Sequence, residues 1–230
     1  MFEDKRILGI IPARGGSKGI PHKNIARLCR RPLISYTIDA GLKSKYIDFL
    51  IVSTDDETIA HVAKENGAEV PFMRPGALAS DTSKTLDTVL HAITTLKERG
   101  QDFYAMVLLQ PTGPLRTSED IDLAIEKFFR CNCRSLVSVS EVHDHPILIR
   151  TIEGDNMKKL LQTTSTCCRQ DMPKYYRVNG CIYINLVDEL NDKTSFNDNT
   201  IPFIMPKDHS IDIDELGDLA LAEYYLKQRS

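Results

Sequence analysis

Short apolar runs alternate with amphipathic stretches over the first 142 residues of the chain. The apolar runs predict β-strands at residues 7–12, 49–53, 69–72, 104–109 and 135–142. Apolar residues spaced three and four apart predict helices at residues 32–43, 56–66, 85–99 and 118–130. Regular alternation of strand and helix is typical of a mostly parallel sheet with helices on both faces, which is a three-layer αβα architecture.

This alternation breaks between residues 143 and 177, where polar and apolar residues mix around Gly154 without helical periodicity. We interpret residues 147–152 and 157–161 as the arms of a hairpin inserted in a single domain that spans residues 1–230. A two-stranded hairpin is marginal on its own, so we expect a second subunit to cover it in a homodimer. Beyond the hairpin, the pattern predicts strands at residues 181–185, 201–204 and 210–213 and a final helix at residues 215–228.

Composition and charge narrow the classes of partner. The chain has 230 residues, and its 29 Lys and Arg against 32 Asp and Glu give a net charge of -3. This balance gives no general attraction to a nucleic acid polymer or a membrane surface, so any anion site must be local. No run approaches the ~20 apolar residues of a spanning helix, and residues 7–11 are too short for a signal-peptide core. We therefore expect a cytoplasmic protein.

The most informative segment is residues 10–25, IIPARGGSKGIPHKNI, directly after the first predicted strand. Its glycines let backbone amides approach an anion, and Arg14, Lys18 and Lys23 supply positive charge. Ligands bind at this end of the strands in open α/β sheets. The segment fits neither G-x-G-x-x-G nor G-x4-G-K-[ST], so it predicts a phosphate site of another kind. The alternative is a flexible surface turn with solvated charges.

A second group of charged residues lies near the end of the chain, in SIDIDELGD at residues 210–218. Asp212 and Asp214 are two residues apart at the end of a predicted strand, which would place both carboxylates on one face. Paired carboxylates with phosphate oxygens suit Mg²⁺. The alternative for Asp214 is the N-cap of the following helix.

Three further polar loops carry candidate residues. One, LLQPTGPLRT at residues 108–117, suits a base edge or a polar substrate, or is a rigid turn before the next helix. A second, around Arg74, is either a ligand loop or an exposed linker. The third, YYRVNGCIYIN at residues 175–185, follows Arg169 and holds arginine and asparagine suited to a carboxylate, unless these are surface residues.

Taken together, IIPARGGSKGIPHKNI, LASDT at residues 78–82, LLQPTGPLRT, RVNGCIYIN and SIDID resemble the acylneuraminate cytidylyltransferases, also called CMP-sialic acid synthetases. The motifs occur in the family's order over nearly the whole chain. The resemblance implies a Rossmann-like nucleotidyltransferase fold with a dimerisation hairpin. It also implies Mg²⁺ as cofactor and a reaction that joins CTP to a nine-carbon 2-keto sugar acid, giving a CMP-sugar and pyrophosphate.

The resemblance also assigns residue roles. Nucleotide binding would fall to Arg14, Gly15, Gly16, Lys18, Lys23, Asn24, Arg74, Ser80 and Thr85. Binding of the sugar acid would fall to Gln110, Thr112, Arg116, Arg169, Arg177 and Asn179, with Arg169 contributed across the dimer interface. Asp212 and Asp214 would hold the metal. Arg14, Lys23 and Asp212 are the expected catalytic residues, and our hypothesis is that Asp212 takes the proton of the attacking hydroxyl.

One departure bears on the substrate, because the hairpin reads HPILIR at residues 145–150. Leu148 stands where sialic acid enzymes often carry a lysine near the acid. N-acetylneuraminate is the first expectation, and legionaminic and pseudaminic acid are the alternatives. A further alternative is a glycosyltransferase, since Asp212-Ile213-Asp214 fits the D-x-D pattern, and a non-enzymatic alternative is a nucleotide-binding regulatory module.

Overall fold

The computed structural model describes residues 2, 4–17, 19–162 and 172–229. Its strands are β1 (Ile7–Pro12), β2 (Arg27–Leu28), β3 (Arg31–Pro32), β4 (Phe49–Ser53), β5 (Ala105–Leu109), β6 (Ser135–Glu141), β7 (Arg150–Glu153), β8 (Asn156–Lys159), β9 (Tyr176–Leu186) and β10 (Ile201–Ile204). Its α-helices are α1 (Leu33–Leu42), α2 (Glu57–Glu65), α3 (Thr85–Glu98), α4 (Ser118–Arg130) and α5 (Leu216–Gln228).

Six strands form the central sheet in the order β10-β6-β9-β5-β1-β4. β9 runs antiparallel to its neighbours β5 and β6, whereas β1 is parallel to β4 and β5, and β10 is parallel to β6. The sheet is therefore mostly parallel, as the alternating pattern predicts. The reversal of β9 brings its first residues to the same edge as the carboxyl ends of β1 and β5.

Helices cover both faces of the sheet, which confirms the three-layer αβα architecture. Strand residues such as Ile7 and Ile11 pack with α1, α2 and α4 on one face. Their neighbours Leu8 and Ile10 pack on the other face with α3, in line with the period-two alternation of a strand. A third apolar cluster seats α5 against Leu33 and brings the last helix to the end of the sheet where β1 finishes.

Two predicted strands are wrong. Residues 69–72 form only a single bridge, Ile51 to Glu69, because Pro71 has no N–H to continue a ladder. Residues 210–213 join no strand, and the Ile213 amide donates to the Thr112 carbonyl in a loop instead. β9 is longer than predicted and begins at Tyr176, so the RVNG residues lie within the strand.

The hairpin is present as β7 and β8, with shorter arms than predicted and Gly154 at a left-handed φ of 59° in its turn. Its apolar side chains lie in solvent: Ile152 and Met157, which face each other across the pair, are 75% and 73% exposed. In the described part of the chain, no helix has both the length and the apolar character needed to span a membrane.

Candidate active site

A cleft of about 600 Å³ opens at the carboxyl ends of β1 and β5. It brings together the Gly-rich loop after β1, the loop before α3, the loop after β5 and the start of α5. The predicted site residues in its lining are Arg14, Lys23, Asn24, Arg74, Ser80, Thr85, Gln110, Thr112 and Asp214. Sequence segments that are 200 residues apart thus meet in one cavity, which is the arrangement expected at the ligand-binding edge of such a sheet.

The Gly-rich loop is fixed from both sides. The Gly15 amide donates to Asp55 Oδ1 at 3.1 Å, and Asn24 Nδ2 donates to the Arg14 carbonyl at 2.9 Å. At Gly15, a Cβ atom would lie 2.8 Å from an oxygen of Asp56, so this position requires glycine for a close approach rather than for its φ. At Gly16, by contrast, a Cβ atom would meet nothing within 4 Å, because this part of the loop faces open space.

Each described cation of the loop meets a carboxylate on another wall of the cleft. Arg14 Nη1 lies 3.0 Å from Asp81 Oδ1 and also donates to the Ser80 carbonyl. Lys23 Nζ lies 3.0 Å from Asp214 Oδ1 and donates to the Ile213 carbonyl at 2.8 Å. The cationic loop and the acidic segment are therefore in direct contact. Lys18 lies outside the described residues.

Asp214 is exposed, and it is not the N-cap of α5. Glu215 takes that place, while Asp218 accepts hydrogen bonds from the backbone amides of Glu215 and Asp214. The Asp214 carboxylate, 74% exposed, is thus directed to Lys23 rather than to the helix end. The N-cap alternative for Asp214 is wrong.

Asp212 is half-buried, and burial raises the pKa of its carboxyl group. A hydrogen bond from the Thr112 side chain opposes that shift, Asp214 adds to it, and the charges of Lys23 and Arg177 lower the pKa again. Gly180, at a φ of 75°, passes close by: a Cβ atom there would lie 3.5 Å from Asp212 Oδ2 and 3.4 Å from Gln110 Oε1. A carboxylate with a raised pKa between two loops is suited to accept a proton.

The two aspartates also fit a hard divalent cation that takes part of its coordination from phosphate. No group of three or more His, Cys, Asp or Glu side chains in the described ranges could hold a metal without other ligands. A complete all-protein cage is therefore not formed by these residues. An ion held by two carboxylates and substrate oxygens is compatible with the donor set.

A family model described as cytidylyltransferase matches residues 8–230. The chain belongs to the cytidylyltransferase family. This confirms the resemblance carried by the sequence motifs, whose loops the structure gathers around the cleft.

Two curated relatives resemble this cytidylyltransferase over nearly its whole length. CMP-N,N'-diacetyllegionaminic acid synthase of Legionella pneumophila is 39% identical over 223 residues, which cover 95% of this chain and 95% of that protein. N-acylneuraminate cytidylyltransferase of Escherichia coli is 32% identical over 223 residues, which cover 94% of this chain and 51% of that protein.

A solved structure of CMP:2-keto-3-deoxy-manno-octonic acid synthetase complexed with CTP resembles this cytidylyltransferase with a TM-score of 0.72. The alignment covers 98% of this chain and 100% of that chain. At 14% identity it supports the fold alone.

The structure separates the residues that sequence assigned to the sugar acid. Gln110 and Thr112 line the cleft of this cytidylyltransferase, whereas Arg116 and Asn179 are only 3% exposed and bond to protein groups. Arg116 Nη1 donates to the Cys181 carbonyl at 2.7 Å, and Asn179 bonds to Ser138 and Ser210. Both side chains thus bond within the protein and lie outside the lining of the cleft, and Arg116 Nε and Nη2 are buried without a hydrogen-bond partner. Arg177 is exposed at the start of β9, and Arg169 lies outside the described residues.

Arg74 lies in the wall of the cleft, but its guanidinium is hydrogen-bonded to protein groups. It is 6% exposed and donates to the Ser53 carbonyl at 2.8 Å and to Thr88 Oγ1 at 3.0 Å. It therefore connects the end of β4 to α3. A contact with a base would be made by the aliphatic carbons of its side chain rather than by a free guanidinium.

Sequence reasoning missed a second cavity of about 650 Å³ beside the cleft of this cytidylyltransferase. The two cavities share Lys84, Thr85 and Gln110, and the second adds Tyr183, Lys193 and Asn197. Residues 191–197 show no strand or helix pattern, and only the cluster of Asn, Asp, Lys and Ser marks them as a polar loop. Asp55 was missed as well, because a single aspartate in a loop gives no distinctive signal.

Proposed function

We propose that this cytidylyltransferase transfers CMP from CTP to a nine-carbon 2-keto sugar acid, releasing pyrophosphate. The observation that carries the proposal is the pair of adjoining cavities that meet at Gln110. One contains the cationic Gly-rich loop and suits a triphosphate. The other has a mixed polar and apolar lining, is larger than a single small anion needs, and is open to an acceptor. The names of the two relatives, a CMP-N,N'-diacetyllegionaminic acid synthase and an N-acylneuraminate cytidylyltransferase, describe the same class of reaction.

In the proposed reaction, Arg14, Lys18 and Lys23 bind the phosphates together with the loop amides of Gly15 and Gly16. Charge develops on the pyrophosphate as it leaves, so fixed cations at that position lower the barrier. Asn24 keeps the loop in register through the Arg14 carbonyl. Ser80 and Thr85, which line the same cleft, bind the nucleoside.

The anomeric hydroxyl of the sugar acid attacks the α-phosphorus, a new P–O bond forms, and the bond to the pyrophosphate breaks. Asp212 accepts the hydroxyl proton, which its raised pKa favours. Asp212 and Asp214 are the residues that would hold Mg²⁺, which when bound neutralises phosphate charge. Gln110, at the junction of the cavities, orients the acceptor, so positioning supplies much of the rate.

For the acceptor we propose a legionaminic-type acid ahead of N-acetylneuraminate. Identity to the legionaminic acid synthase is 39%, against 32–35% to N-acylneuraminate cytidylyltransferases. Leu148, 63% exposed in the 3₁₀ turn before the hairpin, stands where sialic acid enzymes often carry a lysine. Pseudaminic acid stays the remaining alternative.

The decisive experiment measures pyrophosphate release from CTP and Mg²⁺ with N,N'-diacetyllegionaminic, pseudaminic and N-acetylneuraminic acid in parallel. We expect release only when a sugar acid is present, with the highest kcat/KM for the legionaminic acid. The highest kcat/KM for N-acetylneuraminate would overturn the acceptor assignment alone. Failure of every acid would overturn the proposed function. A parallel reaction that supplies a nucleotide-sugar tests the glycosyltransferase alternative, which its consumption without pyrophosphate release would support.

We also propose that the hairpin builds a homodimer. Further apolar side chains are exposed at the start of β9, where Tyr176 is 42% and Val178 is 36% exposed, and at Ile204 of the edge strand β10. Exposed apolar side chains of this kind are typical of a subunit interface. Because the proposed donor is CTP, which cells hold in the cytoplasm, the cytoplasmic location also stays our expectation.

A further inference from the structure

The acidic segment, residues 206–214, carries Asp214 into the lining of the cleft and Asp212 to a position beside Gly180. All its residues are described, and its only regular element is a single 3₁₀ turn, Lys207–His209. A segment without a ladder or a helix depends on individual hydrogen bonds for its position. Two of these are clear: Ser210 Oγ accepts from Asn179 Nδ2 at 3.0 Å, and the Ile213 amide donates to the Thr112 carbonyl at 2.8 Å.

A third anchor is formed by His209, which the reaction itself does not use. Its Nδ1 lies 2.7 Å from Asp120 Oδ2, and the side chains of His209 and Asp120 are only 22% and 8% exposed. A contact of this length between a shielded imidazole and a carboxylate is stronger than an exposed ion pair. It joins two segments that are 89 residues apart in sequence.

Asp120 is itself rigidly held at the start of α4. The oxygen that meets His209 also accepts from the Thr117 amide and the Thr117 hydroxyl, both at 2.8 Å, in the capping box of the helix. This helix start directly follows the loop that carries Gln110 and Thr112. His209 therefore fixes the beginning of the acidic segment to the same loop that Ile213 meets at the other end.

A second link joins the same two segments from outside. Arg229, at the end of α5, donates to the Leu115 carbonyl at 2.8 Å and to the Asp208 carbonyl at 3.0 Å. Leu115 lies in the loop before α4, and Asp208 is the neighbour of His209. The two links show that the register between this loop and the acidic segment is specified in the fold.

We propose that His209 is a positioning residue, whose hydrogen bond to Asp120 sets the acidic segment so that Asp214 lines the cleft and Asp212 lies beside Gly180 and Thr112. Its consequence for the rate rests on the proposed function, while its consequence for the segment does not. Removal of the bond leaves the Asp120 carboxylate without one of its three donors and frees the first half of the segment, so the aspartates lose their fixed position.

The test compares three substitutions of His209 that differ in where they carry a donor. His209→Asn keeps an N–H at the position of Nδ1, His209→Gln moves it one carbon further out, and His209→Leu removes it. We expect Leu and Gln to lower kcat at least tenfold while the KM for CTP changes less than threefold. Asn should retain kcat within about threefold of the original. Hydrogen exchange at the Ile213 amide should become about tenfold faster in the His209→Leu and His209→Gln variants and stay slow in the His209→Asn variant.

The matched control is His61→Leu, which removes an exposed histidine paired with Glu65 on α2, far from the cleft. It should change neither kcat nor Ile213 exchange. If the Leu variant fails to fold, the comparison of Asn with Gln decides. Equal losses in Asn and Gln, or unchanged Ile213 exchange in Gln, would overturn the positioning role. Absence of sugar-dependent pyrophosphate release in the unsubstituted protein would overturn the proposed function, while the exchange data would still test His209.

Discussion

Replacement of Gly19 with alanine tests the contact between the Gly-rich loop and the acidic segment. A Cβ atom at Gly19 would lie 2.5 Å from the carbonyl oxygen of Asp214. That oxygen belongs to the backbone, so no side-chain rotation relieves the overlap. The Gly-rich loop and the acidic segment must move apart by about 0.5 Å before the distance from Cβ to the Asp214 oxygen becomes tolerable.

The expected cost follows from that displacement. A shift of ~1 Å in a catalytic group lowers rates ~100-fold, so we expect kcat/KM for CTP to fall ~10- to 100-fold, equivalent to ~1.4–2.7 kcal/mol of transition-state stabilisation. Gly19 does not occupy the left-handed φ region, so alanine adds no φ strain there, and the overlap with the Asp214 carbonyl is the cost to folding. The reduced chain entropy of alanine in the unfolded state, worth ~0.4–1 kcal/mol, offsets part of the strain.

The assay is sugar-dependent pyrophosphate release, with thermal unfolding measured on the same samples. Gly217→Ala is the matched control, since a Cβ atom there meets nothing within 4 Å and the residue lies in the first turn of α5, near Asp214. It should keep full activity and raise the unfolding temperature slightly. A folded Gly19→Ala protein with kcat/KM within threefold of Gly217→Ala would refute the reasoning.

Three further predictions concern charge and assembly. Thr112→Val removes the hydrogen bond that opposes the burial-driven rise in the pKa of Asp212, so that pKa should rise further. Asp212 would then stay protonated to a higher pH, and the acidic limb of the kcat–pH profile should move to higher pH. An unmoved limb would contradict the role of Asp212 as proton acceptor. Asp81→Asn removes the carboxylate that holds the arginine of the Gly-rich loop, and the KM for CTP should fall about two- to fivefold, whereas a rise in KM would contradict competition between carboxylate and phosphate. Ile152→Lys on the hairpin should convert a dimer to a monomer in light scattering, and Leu123→Lys, on the exposed face of α4, should not; an unchanged mass in both would contradict the proposed interface.

The helices could be predicted closely because their signals are local. The predicted spans of α2, α3 and α4 agree with the structure to within a residue or so, and Gly67 and Gly100 follow α2 and α3 with the left-handed φ expected at C′. Asp56 and Thr117 cap α2 and α4 through their side chains. Periodicity and capping both depend on residues within one or two turns, so no knowledge of the partner elements is needed.

The loops that form the cleft could be predicted from the sequence, but the strand pairing that decides which of their side chains are buried could not. Parallel strands end at one edge, which is enough to bring Arg14, Gln110 and Thr85 together. Burial of Arg116 and Asn179 depends on β9 running antiparallel between β5 and β6, which a pattern of apolar residues does not specify. Once β9 is inserted, its first residues pack under the loop after β5, and polar side chains that sequence assigned to a ligand become internal hydrogen-bonding groups.

The near-neutral net charge of the chain is reflected in the cleft, where each described cation of the Gly-rich loop is paired with a carboxylate. Arg14 and Lys23 have side chains 33% and 16% exposed, and their partners Asp81 and Asp214 are 55% and 74% exposed. Exposed ion pairs contribute ~0–1 kcal/mol, so exchange of each carboxylate for a phosphate oxygen costs little on the acidic side. The two cations gain more electrostatic stabilisation from the exchange, because their side chains are less exposed to water and the triphosphate carries several negative charges. A triphosphate would therefore replace contacts that already span the cleft, and the freed carboxylate of Asp214 would be placed beside the phosphates for a divalent cation.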